Sequence, residues 1–268
     1  MPRVLAVLRN KRRTQRFRRS VYLLPSMFTV GNLFCGYACI VHAMRGDYET
    51  AAVFVGVATV LDVLDGRIAR LAGAESDFGG EFDSLADVIS FGVAPAVLVF
   101  AWGLEPLGRL GWAVGFLYVT ATALRLARFN VQPNSPDKRY FAGMPSPAAG
   151  GVLAATVFAW PAGLGIAQAP VFALLVVLVP ALLMVSRIRF RSFGALIVQP
   201  RRSSVGLLQF ALLVAAIAVQ PQLVLFLMAY AYLVSGPVGY LVGRAHRASG
   251  RHDDQTRDTP DLETASTG

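Results

Sequence analysis

The chain has 268 residues and a mass of 28.8 kDa, room for one large domain or two small ones. Hydrophobic residues make up 55% and charged residues 15%, with a mean hydropathy of +0.53, which excludes a disordered chain and argues against a water-soluble globule. The formal charge of +9 comes from 25 Lys and Arg against 16 Asp and Glu, and two cysteines, Cys35 and Cys39, exclude a disulfide scaffold.

In chain order, residues 1–20 form a basic segment with Arg3, Arg9, Lys11, Arg12, Arg13, Arg16, Arg18 and Arg19. Standing directly before an apolar run, it reads as a topology signal that grips anionic headgroups, not as a nucleic-acid arm. A bilayer core about 30 Å thick takes roughly 20 apolar residues per helix. Runs near 21–44, 51–72, 84–102, 110–127, 147–163, 170–186, 205–219 and 223–243 predict eight transmembrane helices in an all-α, polytopic membrane protein. The last two are separated only by Gln220-Pro221-Gln222, read as a tight hairpin turn. The membrane domain thus spans 21–245, and the polar, acid-rich segment 246–268 reads as a disordered tail.

Lys and Arg accumulate in cytoplasmic loops. With the N-terminus inside, all of the 25 basic residues except Arg45 and Arg109 fall on or beside the cytoplasmic face. Trp102, Trp112 and Trp160 fall near outer helix ends, as interfacial aromatics should. Eight spans leave both termini in the cytoplasm, in a multi-pass protein of the cell (inner) membrane.

Seven of the 16 acids lie between Asp62 and Asp87. A carboxylate at membrane depth costs about 2.5–3.5 kcal/mol on insertion scales, so acids clustered there mark function. Asp62, Asp65, Gly66, Ala69 and Arg70 stand at i, i+3, i+4, i+7 and i+8, one stripe of the second span. Gly79, Asp83 and Asp87 form a second stripe that opens the third span. Neighbouring antiparallel helices bring the four aspartates together at the cytoplasmic boundary. Glu75, Asp77 and Glu81 lie off the stripes and read as solvated loop charges.

Four carboxylates this close repel one another unless cations neutralise them, and Arg67 and Arg70 are too few to do so as a salt-bridge network. Oxygen-only ligands suit Mg²⁺ or Mn²⁺, and a pair of such ions is the usual device for phosphoryl transfer. Gly66 and Ala69 leave a flat strip on which a nucleotide can lie, and Arg70 offers a donor fork to a phosphate.

The pattern Asp62-x2-Asp65-Gly66-x2-Ala69-Arg70-x8-Gly79-x3-Asp83-x3-Asp87 resembles the signature of the CDP-alcohol phosphatidyltransferases at every position. Three further segments are similar to the branch of membrane phosphatidylserine synthases. They are Phe28-Thr29-Val30-Gly31-Asn32-Leu33-Phe34-Cys35-Gly36, Arg125-Leu126-Ala127-Arg128-Phe129-Asn130 and Phe141-Ala142-Gly143-Met144-Pro145-Ser146-Pro147; Ser26 departs from an expected Asn. The resemblance implies transfer of a phosphatidyl group from CDP-diacylglycerol to the hydroxyl of L-serine, with CMP leaving. It implies that Asp62, Asp65, Asp83 and Asp87 hold two divalent ions and that Asp87 acts as the base. It also implies that Gly66, Ala69, Arg70, Ser76 and Gly79 meet the CDP moiety, and that the protein is a homodimer.

Serine carries a carboxylate that wants a cation. Arg125, Arg128, Lys138 and Arg139 after the fourth span, and Arg187, Arg189 and Arg191 after the sixth, lie on the cytoplasmic side. Arg125 and Arg128, one helical face at i and i+3, are the preferred acceptor ligands, and the resemblance adds Ser146. Two rival readings stay open. One is the same transfer to glycerol 3-phosphate or inositol phosphate, and the other is a cation-coupled transporter, against which the one-sided placement of the acids speaks.

Overall fold

The computed structural model describes residues 26–72, 76–131, 140–163, 165, 169–191 and 204–257. Eight helices are present among them: α1 (Ser26–Met44), α2 (Tyr48–Ala72), α3 (Asp77–Leu107), α4 (Arg109–Val131), α5 (Ser146–Ala159), α6 (Ala169–Val185), α7 (Ser204–Val219) and α8 (Pro221–Arg257). Each coincides with one of the eight apolar runs. Four, namely α1, α3, α4 and the Pro221–Leu241 part of α8, are long and apolar enough to cross a membrane, while α5, α6 and Gly206–Val219 are apolar but shorter. The outward side chains of these helices include Met44, Trp112, Phe116, Leu182 and Leu241, all more than half exposed, an apolar surface suited to lipid.

The core is built where helices carry small residues. In α5, Ala149, Gly150, Ala154 and Ala155 are buried, which lets neighbouring backbones come close without large knobs between them. Both α2 and α8 pack on α5, α4 packs on α6, and α7 lies on α8. Cys39 is fully buried in this core and Cys35 nearly so, as expected of packing residues.

The turn joining α1 to α2 is held at one end of the bundle. Asp47 caps α2 by accepting from the Thr50 N–H (3.3 Å), and it pairs with His42 Nδ1 at 2.9 Å. These hydrogen bonds, the His42 one foremost, hold the Asp47 carboxyl below its ordinary range.

Helix α3 is a composite, with α-helical turns interrupted by π-helical segments at Val88–Val93 and Phe100–Leu104. Pro95 has no N–H for the carbonyl four residues back, that of Phe91. The Tyr118 hydroxyl of α4 donates to that oxygen instead, at 3.0 Å. Widened turns of this kind accommodate a proline without ending the helix, and they gather near functional sites.

Two features depart from the sequence reading. Residues Tyr140–Ala142 (β1) and Arg189–Arg191 (β2) pair antiparallel, with Phe141 opposite Phe190, so a small ribbon joins the otherwise helical fold. Gly143 ends β1 with φ +83, and a Cβ there would lie 2.3 Å from the Met184 carbonyl oxygen, so only glycine fits. In addition, α8 runs on to Arg257, so 246–257, expected to belong to a disordered tail, continue a helix. No proline interrupts this stretch, so no backbone N–H is missing from the helical ladder. The hairpin does break as expected: α7 ends at Val219 and α8 begins at Pro221. The basic segment 1–20 and residues 258–268 lie outside the described residues.

Candidate active site

The register of α2 against α3 places the acids. At one end of the pair the Tyr48 hydroxyl donates to the Ala101 carbonyl at 2.9 Å. Fourteen residues down α2 from Tyr48 is Asp62, and fourteen back along α3 from Ala101 is Asp87, each about 21 Å away. The two aspartates therefore arrive at the same level from opposite chain directions. Trp102, near the Tyr48 end, donates its indole N–H to the Trp160 carbonyl at 2.8 Å. The aromatic residues and the acids thus occupy opposite ends of the helix pair.

Asp62, Asp83 and Asp87 each offer a carboxylate oxygen, and these atoms lie within 4.8 Å of one another. Asp87 is buried, Asp62 and Asp83 half-buried. Asp65, also buried, sits beside the trio, close enough for its charge to act on Asp62 and Asp83, and it accepts a hydrogen bond from the Thr29 hydroxyl of α1. Asn32, one turn further along α1, donates its Nδ2 to Asp87 Oδ1 at 3.2 Å.

Among the described residues the one ion pair is His42–Asp47, at the other end of α2. A buried salt-bridge network around the acids therefore has no member among these residues. Arg125 lies close enough for its charge to act on Asp87 and Asp62. Asp83 Oδ1 is buried without any hydrogen-bond partner. An ionised oxygen left so is costly unless a cation meets it. Three converging carboxylates with an unmet oxygen fit a divalent cation taken up by oxygen ligands, so the cluster could hold such an ion.

The other expected site residues fall as follows. Gly66 is exposed on α2; the side chains of Ala69 and Arg70 lie outside the described residues. Ser76 is the N-cap of α3, its hydroxyl accepting the Gly79 N–H at 3.0 Å, so both have a structural role at the helix start. Arg125 turns into the bundle and donates to the buried Ser146 hydroxyl at 2.7 Å. Arg128 is exposed and reaches the Val185 carbonyl at 3.4 Å. Both arginines border a cleft of about 400 Å³ with Leu124, Ala127, Val131 and Val185. Arg187 is exposed, whereas Lys138, Arg139 and the side chains of Arg189 and Arg191 lie outside the described residues.

Thr29 and Asn32 had no role in the sequence reading beyond the resembling segment that contains them. A signal was present, since they are buried polar residues at i and i+3 in an otherwise apolar span.

Comparison with known proteins identifies the family. A chain from Helicobacter pylori named CDP-diacylglycerol–serine O-phosphatidyltransferase is 46% identical over 129 residues, 48% of this chain and 54% of that one. A Mycobacterium leprae protein of the same name is 36% identical over 231 residues, 83% of this chain and 76% of its own. The archaetidylserine synthase of Methanothermobacter thermautotrophicus is 37% identical over 132 residues, 48% of this chain and 55% of its own. The matched region therefore spans about half the length of the Helicobacter and Methanothermobacter relatives. The sequence model of the CDP-alcohol phosphatidyltransferases matches residues 22–188, well over half of the chain, and that stretch contains every helix that contributes to the acidic cluster. This chain belongs to the CDP-alcohol phosphatidyltransferase family.

Proposed function

We propose that this protein transfers the phosphatidyl group of CDP-diacylglycerol to the hydroxyl of L-serine, forming phosphatidylserine and releasing CMP. The observation that carries the reading is the convergence of Asp62, Asp83 and Asp87 from two helices, in a chain whose relatives are named for this reaction. Its setting is the cell membrane, crossed by all eight helices, with both termini and the acids on the cytoplasmic side. Lipid tails stay in the bilayer there while serine enters from water.

Asp62, Asp65, Asp83 and Asp87 hold two divalent ions, Mg²⁺ or Mn²⁺. When bound, such ions neutralise the charge that develops on the pyrophosphate as CMP departs. Gly66, Ala69 and Arg70 seat the CDP moiety, with Ser76 and Gly79 at its edge. Asp87 takes the proton from the serine hydroxyl, a poor nucleophile at neutral pH. The serine oxygen bonds to the phosphatidyl phosphorus as the bond from that phosphorus to the CMP oxygen breaks. Arg125, held by Ser146, and Arg128 face the serine carboxylate. As expected from family likeness, the working unit is a homodimer.

The acceptor is tested with purified protein, CDP-diacylglycerol and labelled serine, glycerol 3-phosphate or inositol phosphate in parallel. Serine alone yields lipid product; its failure beside success of a phosphorylated acceptor would move the assignment within the family. Because no residue in the cluster is a better nucleophile than serine's own hydroxyl once deprotonated, transfer is a single displacement. Configuration at a chirally labelled phosphorus therefore inverts, and isolation of a phosphatidyl-enzyme adduct would contradict this.

A further inference from the structure

Asn32 is 1% exposed, and its amide makes one side-chain hydrogen bond, the 3.2 Å donation to Asp87 Oδ1. Its own Oδ1 is buried without a partner. A buried amide with an unmet acceptor is unfavourable, so the donated bond is what distinguishes Asn32 from a packing residue. The recipient is a group that needs fixing. The terminal torsion of an aspartate is broad, so its rotamer alone does not orient the carboxylate plane.

The donor is itself fixed. Ser90, three residues after Asp87 in the first π-helical segment, donates its hydroxyl to the Asn32 backbone carbonyl at 2.9 Å. One turn along α1, Gly36 lies against Ser90 so tightly that a Cβ would be 2.7 Å from Ser90 Oγ and 2.9 Å from Ser90 Cα. The backbone of α1 is thereby tied to the turn that follows Asp87.

We infer that Asn32 is a positioning residue for the Asp87 carboxylate, held in register by the Ser90–Gly36 contact between α1 and the π-helical turn of α3. The inference rests on the proposed role of Asp87 in phosphatidyl transfer.

The experiment uses the full chain, purified in detergent, as wild type, Asn32→Ala, Asn32→Asp and Ser90→Ala. Steady-state kinetics of CMP release are measured with thermal midpoint, Mn²⁺ binding stoichiometry and CDP-diacylglycerol binding. Asn32→Ala is expected to lower kcat by about 10–100-fold per Mn²⁺-binding molecule, the usual cost of losing a group that orients a ligand carboxylate. KM for both substrates and the thermal midpoint stay at wild-type values. Asn32→Asp, similar in size but without the donor, shows the same loss, and Ser90→Ala a smaller one. Wild-type kcat in either Asn32 variant overturns the inference. So does a loss of kcat matched by an equal loss of binding-competent protein, or failure of all three variants to fold, because each makes Asn32 a packing residue. A wild type that releases no CMP would instead sink the phosphatidyltransferase reading itself.

Discussion

Replacing Asp87 by asparagine is expected to abolish turnover while leaving a folded protein that still binds CDP-diacylglycerol. The substitution keeps the shape of the side chain, and an amide oxygen can accept the Asn32 hydrogen bond in place of the carboxylate oxygen. What it removes is the capacity to take a proton and one negative charge beside Asp62 and Asp83. Loss of a general base costs about 10²–10⁴-fold in rate, and weakened cation binding adds to that. Stability moves the other way. Without divalent ions the cluster is a set of like charges gathered in a partly buried site, so a variant with one charge fewer melts at or above the wild-type midpoint. CMP release and thermal unfolding, measured on one preparation, read both effects. Turnover near the wild-type rate would remove Asp87 from proton transfer.

The acids were legible in the sequence because two simple constraints meet on them. Burial at membrane depth makes each carboxylate expensive, and the 3.6-residue period sorts Asp62, Asp65, Asp83 and Asp87 onto facing stripes. The structure adds what periodicity does not contain. That Asp62 and Asp87 meet depends on the register set by Tyr48 against Ala101, a tertiary fact. The trio within 4.8 Å is Asp62, Asp83 and Asp87, with Asp65 turned to Thr29, and the choice depends on where α1 lies, which no spacing within α2 or α3 encodes.

Arg125 shows the same limit from another side. Its spacing from Arg128 sets the two on one helical face, and both do border one cleft. Yet Arg125 bonds to Ser146 inside the bundle while Arg128 ends at the Val185 carbonyl, because α5 lies beside the first and the end of α6 beside the second. The ribbon escaped notice for a different reason. Three-residue strands such as Tyr140–Ala142 are too short to show an alternating pattern, and their partner lies far along the chain. The first π-helical turn of α3 also involves a tertiary contact, since the Phe91 carbonyl, which Pro95 cannot serve, accepts from the Tyr118 hydroxyl of α4.

Removing divalent ions is expected to have an effect as large as removing the base, and to be reversible. Asp83 Oδ1 has no hydrogen-bond partner, and among the described residues no lysine or arginine forms an ion pair with the trio, so these residues leave this charge unbalanced. Arg125 offsets part of it from a distance. Chelation with EDTA should therefore end CMP release, and Mg²⁺ or Mn²⁺, which accept oxygen-only ligands, should restore it. Stability follows by linkage, because an ion bound only by the folded state adds about 2.7 kcal/mol at a concentration one hundred times its dissociation constant. The thermal midpoint of the chelated protein should rise when Mg²⁺ is added back. An Asp62→Asn/Asp83→Asn double variant should lose that rise while melting, without ions, no lower than the chelated wild type, since it carries two repelling charges fewer. Full activity in EDTA would separate the aspartate cluster from cation binding, and an undiminished Mg²⁺-dependent rise in the double variant would place the ions elsewhere on the protein.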